Sequence, residues 1–344
     1  MERCTEAPAR VFSNWVIGKA PDLALIIGST VAGYAYLALN LLLQVPISYL
    51  WWFWSVGLDG THIFGTASRT YFDAQERRRR GTLLFGSLAV FFAVGPLMVL
   101  AGYKSVLAIA VGTWAYYHVV KQHQGFVILY KVKNRDLDPV DNELDRLFLA
   151  VMLMMPPFHR FFIHNPEELG IPPTVALERV APWVEPLLWA LVVWAGGRFA
   201  LRQVQRLRLG LALNIPKLLL LAGVSVLHWL TFSYMSWQVA VPTVTIVHNL
   251  QYHALILFHN RNKYTGERAQ TSSGRIPKWV SANLGAYVTA ALVFSLLYRV
   301  PGSTWGGCQT WRSASSADSV SRTTTWIARS GGYGTTAGCG TFCG

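Results

Sequence analysis

The sequence predicts an all-α fold: a polytopic transmembrane helix bundle of about nine spans with its N-terminus in the cytoplasm. Three observations carry that prediction. Apolar side chains make up 52% of the 344 residues and charged ones only 14%, well under the roughly 25% usual in soluble domains. Runs of ~20 apolar residues, the length that crosses a bilayer as a helix, recur along the chain. The Arg and Lys behind the net charge of +13 fall between those runs. There they set orientation in a membrane and give no reason to expect a nucleic-acid partner.

In order, the apolar segments lie at about 23–43, 46–66, 82–101, 105–130, 144–163, 181–197, 214–236, 238–258 and 278–299. Arg77 to Arg80 follow the second. Lys131, Lys133 and Arg135 follow the fourth, and Arg198, Arg202, Arg206 and Arg208 the sixth. Arg261, Lys263, Arg268, Arg275 and Lys278 follow the eighth. The alternate loops are nearly free of basic residues, apart from Lys104 and the region of Arg160 and Arg179. By the positive-inside rule the basic loops are cytoplasmic. The N-terminal MERCTEAPARVFSNW carries Glu2 and Glu6, and the first apolar run starts only at Leu23. It is therefore not read as a secretory signal.

Some segments carry local signals. YLWWFWSV (49–56) reads as an interfacial aromatic belt and packing surface. The fifth segment ends in MMPPFHRFFIHNPEELGIPP, where the prolines are expected to stop the helix. His159 and His164 then belong to a solvated loop on the outer face. His228, in GVSVLHWLTFSY, is expected to hydrogen-bond a neighbouring helix. His259, with Arg261 and Lys263, is expected at the lipid headgroups.

Residues 1–301 form the expected membrane domain. The stretch 302–344 differs in kind: from Ser303 onward it has no Leu, His, Lys, Glu or Pro, and is dense in Ser, Thr, Gly and Arg. It reads as low complexity, expected to be disordered. It also holds Cys308, Cys339 and Cys343, which leaves Cys4 alone in the body and excludes a disulfide framework there. The topology calls for a tenth helix at this point. Back-translated one base earlier, Thr323 to Thr325 permit histidines, Trp326 permits leucine and Ile327 requires aspartate; the run to Gly334 permits H-H-H-L-D-R-E-I-W-R-V-R. The expectation is that the tail is a frame-shifted read, and that the chain lacks a last helix and a ligand pair.

The remaining histidines share one depth. Segments two, four and eight run inward. They place Asp59 and His62, then His118 and His123, then His248 and His253 toward their cytoplasmic ends. HVVKQH (118–123) and HNLQYH (248–253) are both H-x4-H. Residues five apart in an ideal helix lie about 140° off one face. Either the helix is locally widened into a π-turn, or the two histidines of each box serve different ions or roles. Neutral imidazole is a common metal ligand, and imidazole with carboxylate and open positions suits iron that activates O2.

The H-x4-H boxes resemble those of membrane-bound diiron enzymes: fatty-acid desaturases, hydroxylases and alkane monooxygenases. The scattered membrane histidines, with Asp59 near His62, are also similar to the bacterial Brp/Blh-type carotene oxygenases. The H-x2-H-H boxes of desaturases are absent. The resemblance implies an oxygenase, hydroxylase or desaturase that uses non-haem iron, with two ions, O2 and an electron donor. The expected location is a bacterial inner membrane, and the alternation of basic loops turns the site to the cytoplasm.

The expected ligands are His62, His118, His123, His248 and His253, with Asp59 as ligand or as partner to a ligand. Gln122, Gln124, Asn249, Gln251 and Tyr252 are expected to support them, and Lys121 to meet an anionic group of a lipid-like substrate entering from the bilayer. Two other classes compete. One is an electron-transfer protein with haem on histidines from facing helices. The other is a proton-coupled transporter with a His and Asp relay.

Overall fold

The structure, a computed structural model, describes residues 11–169, 175–265 and 275–302. The chain divides into two units, 1–295 and 296–344; of the second, only 296–302, the end of the last helix, is described. The low-complexity tail and its suspected frame shift lie outside the described residues.

The fold is all-α. Helix α1 is Lys19–Leu41 and opens with a π-turn, Asp22–Ile27. Helix α2 (47–69) joins Ile47–Trp54, a π-turn Ser55–Asp59, and Gly60–Arg69. Then come α3 (Ala74–Leu100), α4 (Lys104–Lys133) and α5 (Pro139–His164), which ends in a third π-turn, His159–His164. Helices α6 (Val175–Arg208), α7 (Ile215–Tyr234) and α8 (Trp237–Tyr264) follow. Last are α9 (Arg275–Ala282) and α10 (Leu284–Gly302). A two-residue parallel pairing, β1 (Val11–Phe12) with β2 (Leu213–Asn214), ties the N-terminal stretch to the start of α7.

Among the described residues, five helical stretches are long and apolar enough to cross a membrane: Lys19–Leu41, Ala74–Leu100, Pro139–His164, Arg179–Arg208 and Ile215–Tyr234. The pair α9/α10 qualifies as a sixth if taken together, but it is bent by 119°. The ninth expected segment is thus broken at Asn283, whose side chain accepts from the Ala286 N–H (2.7 Å). The helices that do not qualify by composition, α2, α4 and α8, are those that carry the expected site. Polar residues dilute their apolar content: Asp59 and His62 on α2, His118, Lys121, Gln122 and His123 on α4, and His248, Asn249, Gln251 and His253 on α8.

Two boundaries differ from expectation. The prolines do not stop α5; the helix runs through Pro156 and Pro157. Pro157 has no N–H for the Leu153 carbonyl, and the Tyr116 hydroxyl donates to that oxygen (2.5 Å). Helix α6 extends to Arg208, so Arg198, Arg202, Arg206 and Arg208 lie on a helix and not in a loop.

Helix α8 is the axle. It packs against α1, α2, α4, α7 and α9. Gly33 lets α1 close on it: a Cβ there would meet Leu227 Cδ2 at 2.8 Å and the Thr243 carbonyl at 3.1 Å. Helix α2 runs parallel to α8. Trp51 donates to the Gln238 carbonyl (2.7 Å), Trp54 to Thr245 (2.9 Å), and Asn260 to Ser68 (3.1 Å). Helix α4 runs the same way: it lies antiparallel to α7, with Tyr116 meeting Phe232 and His123 meeting His228, and Gln122 donates to the His248 carbonyl (2.8 Å). This parallel register brings His62, His118 and His248 to one level of the bundle. Helix α3 has no buried residue and α6 almost none, so they form the rim.

Candidate metal centre on three parallel helices

His62 on α2, His118 on α4 and His248 on α8 each offer one ring nitrogen, and these lie within 4.8 Å of one another. Ring centroids are 4.9 Å apart for His62 and His248, 5.1 Å for His118 and His248, and 6.4 Å for His62 and His118. His248 is buried, His62 half-buried and His118 exposed on the flank of the bundle. His62 Nε2 and His248 Nδ1 are buried with no hydrogen-bond partner. An unsatisfied buried polar atom is costly, and a cation bound to the free lone pairs relieves that cost. Tetrahedral binding at ~2.1 Å spaces ligand atoms by about 3.4 Å, so a small side-chain adjustment would close the three nitrogens on one ion. The donor set fits a transition metal.

The surroundings hold this level of the bundle together. The bond from Gln122 to the His248 carbonyl joins α4 to α8. Gln251 donates to the Ile26 carbonyl (2.8 Å), joining α8 to α1 where the π-turn of α1 ends. The Tyr252 ring lies 4.4 Å from His62, and its hydroxyl meets Thr66 at 2.8 Å. Gly65 makes room for that ring, since a Cβ there would lie 2.9 Å from Tyr252 Cε1. Asn249 is buried, and its Nδ2 has no partner. Lys121 and Gln124 pair with each other (2.7 Å) farther along the exposed face of α4.

Not every expected ligand joins the group. His253 uses both ring nitrogens elsewhere, with Nε2 on Thr61 (3.0 Å) and Nδ1 on the Tyr287 hydroxyl (2.9 Å). His123 is buried on the other side of α4. Its Nδ1 pairs with the Val119 carbonyl (2.8 Å), and its ring stands perpendicular to that of His228 at 6.0 Å. His228 bonds its own helix, at the Val224 carbonyl (2.7 Å), and not the neighbouring one expected of it. Nε2 of both His123 and His228 is buried without a partner. Asp59, at the end of the α2 π-turn, lies outside the three-histidine group. Both H-x4-H boxes are ordinary α-helix, so within each box the two histidines point to different surroundings.

Two clusters were missed. The first is a buried ion-pair lattice where α4, α5, α6 and α7 meet. Lys131 pairs with Asp145 (2.5 Å), and Lys217 with Asp136 (2.9 Å) and Asp145 (3.0 Å). Arg206 pairs with Asp136 (2.7 Å) and Asp141, and Arg202 with Asp141 (2.6 Å). In the sequence, Lys131, Arg202 and Arg206 look like topology signals alone. The interrupted apolar pattern of PVDNELDRLF (139–148), with acids at 141 and 145 on one helix face, was the available signal. The second cluster joins His159 and His164 to Glu185. Its signal was HRFFIH, a third H-x4-H.

No protein-family model, curated protein or solved structure matches the chain.

Proposed function

We propose that this is an integral-membrane metalloenzyme: a non-haem iron oxygenase, hydroxylase or desaturase acting on a lipid-like substrate, with its iron on His62, His118 and His248. The carrying observation is the arrangement of those three rings, with lone pairs orphaned on the inner two and His118 open on the flank of the bundle. Bound iron would supply O2 activation. The nine-span reading with a cytoplasmic N-terminus belongs to the same proposal. It is supported by the parallel course of α2, α4 and α8 and by the basic residues at their carboxy-terminal ends.

The protein's own residues would do the rest. His248 is fixed through its carbonyl by Gln122, and Tyr252 backs His62. A second ion would find Nε2 of His123 and His228, both free and both oriented by Nδ1 contacts to the backbone, the arrangement common in metal-binding histidines. One turn along α4 from His118, a groove of about 300 Å³ opens between α4 and α5. Val120, Leu149, Ala150 and Met154 give it apolar walls, and Lys121 and Arg146 give it two cations. Such a groove suits an acyl chain with an anionic head, delivered sideways from the bilayer.

The test is metal analysis of purified protein. Wild type should carry iron, and His118→Ala and His248→Ala should lose it while staying inserted. Stoichiometric iron in both variants would end the proposal. The His123 and His228 pair favours a second reading, haem on facing helices; a Soret band lost on His228→Ala would decide for it.

A further inference from the structure

At the other end of α8 from its basic terminus, α5 closes with the π-turn His159–His164. Bonding from residue i to i+5 (Asn165 N–H to the Arg160 carbonyl, 2.8 Å) brings residues five apart onto one side of the turn. His159 and His164 therefore lie side by side, with ring centroids 4.3 Å apart and planes tilted by 59°. Both present Nε2 to one carboxylate oxygen of Glu185 on α6, His159 at 2.9 Å and His164 at 3.2 Å, and the two nitrogens are 3.0 Å apart.

Three atoms at nearly equal spacing are poorly served by protons. Each Nε2 carries at most one hydrogen and an ionised carboxylate carries none. Two hydrogens cannot fill three edges, and if both histidines donate to the oxygen their N–H groups lie side by side. One cation satisfies all three atoms at once. With ligand bonds of ~2.0–2.2 Å, it would sit about 1 Å above the plane of the three, leaving its far side open.

We infer that His159, His164 and Glu185 form a second metal site, separate from the three-histidine centre, that takes a zinc-type divalent ion with its remaining positions open to water. Two imidazoles and one carboxylate suit zinc and similar transition ions over magnesium or calcium. The three side chains are partly exposed, so water reaches the open positions. The turn that presents the histidines is held in place. Arg160 pairs with Glu168 (2.5 Å), which also accepts the Trp237 N–H (2.9 Å), and Trp189 stands edge-on to His159 at 5.5 Å. Trp237 precedes His248 by eleven residues of α8, or about 16 Å of helix, so the two sites do not share an ion.

The test uses chelator-stripped, detergent-purified full-length protein titrated with Co(II) as a spectroscopic probe and with Zn(II) for stoichiometry. Wild type should develop the visible bands of a nitrogen/oxygen Co(II) site. These should be lost in His164→Ala and in the near-isosteric Glu185→Gln, with one fewer zinc bound, and kept in His118→Ala and His248→Ala. Monodisperse elution of Glu185→Gln shows that a loss is not unfolding. Absence of the bands in wild type, or identical spectra and zinc stoichiometry in wild type, His164→Ala and Glu185→Gln, would overturn the site. Loss in His118→Ala alone would assign the ion to the first centre instead.

Discussion

His62 and His248 face each other across α2 and α8 with ring centroids 4.9 Å apart, and each keeps one buried nitrogen without a partner. Packing alone gives no reason for two such atoms, since an apolar residue of similar size would fill the space without the desolvation cost. That contrast makes a test. In chelator, His248→Leu should be more stable than wild type by about 1–3 kcal/mol, the cost of an unsatisfied buried polar group. With iron supplied, the order should reverse, because only wild type gains from binding. Thermal unfolding of both proteins, with and without iron, reads the two orders directly. Wild type gaining nothing from the metal would count against the site.

His253 offers the opposite case. Thr61 and Tyr287 occupy both of its ring nitrogens, so it fastens α8 to α2 and α10. His253→Ala should cost about 1–3 kcal/mol, near 1 kcal/mol for each lost hydrogen bond plus the packing of the ring. Its iron content should equal that of wild type. A variant that stays folded and loses its iron would return His253 to the ligand set.

These two residues mark how far the sequence could be read. The apolar runs located helices in all nine places, because burial in lipid or protein demands long uninterrupted apolar stretches. Shared depth picked out three helices, and those three do run parallel. Within a box, however, spacing says only that two histidines lie on different sides of a helix. Which side meets the other helices depends on rotation about the helix axis, and that is set by packing such as Gly33 against Leu227. His62, His118 and His248 turned toward one another, while His123 turned to His228. Of the two alternatives for the boxes at 118–123 and 248–253, a π-turn or separate roles for the two histidines, the first is absent: both boxes are regular helix and carry no π-turn. A π-turn formed at His159–His164, just after two prolines that interrupt the regular bonding of α5. The ion-pair lattice was hidden for another reason: a Lys or Arg beside an apolar run looks the same whether it faces headgroups or a buried carboxylate.

That lattice should dominate the acid stability of the protein. Burial pushes the Asp136 carboxyl up, but Lys217, Lys131 and Arg206 around it outweigh burial and hold it below its ordinary value. A folded-state value below the unfolded one of ~3.9 contributes stability that is fully present above about pH 4. It is lost as pH falls through the lower folded value. The contribution of Asp136 should therefore show as a further fall in melting temperature below about pH 4 in detergent, shallower in Asp136→Asn. Lys217→Met should destabilise the protein at neutral pH, by less than the about 3–5 kcal/mol of an uncompensated buried charge, because Arg206 still pairs with Asp136 and Lys131 with Asp145. An equal slope below pH 4 in wild type and Asp136→Asn would remove Asp136 as the cause.

The direction of α3 tests the proposed topology. This helix is apolar over most of its length, is long enough to cross a membrane and has no buried residue. Its first turn is anchored: Asp73 accepts from the Gln75 N–H (2.8 Å), from Lys263 (2.6 Å) and from the Tyr264 hydroxyl (2.8 Å) at the end of α8. The start of α3 and the end of α8 thus lie at one level, where Arg77 to Arg80 and Lys263 gather. Cytoplasmic retention of such residues is what orients a span. Arg79 and Gly102 bracket α3 at its two ends. A reporter fused after Arg79 should read cytoplasmic, and one after Gly102 external. The same side at both positions would mean that α3 does not cross, and would remove the common depth on which the metal centre was first located. Opposite sides with the signs exchanged would keep the centre and turn it to the outer face.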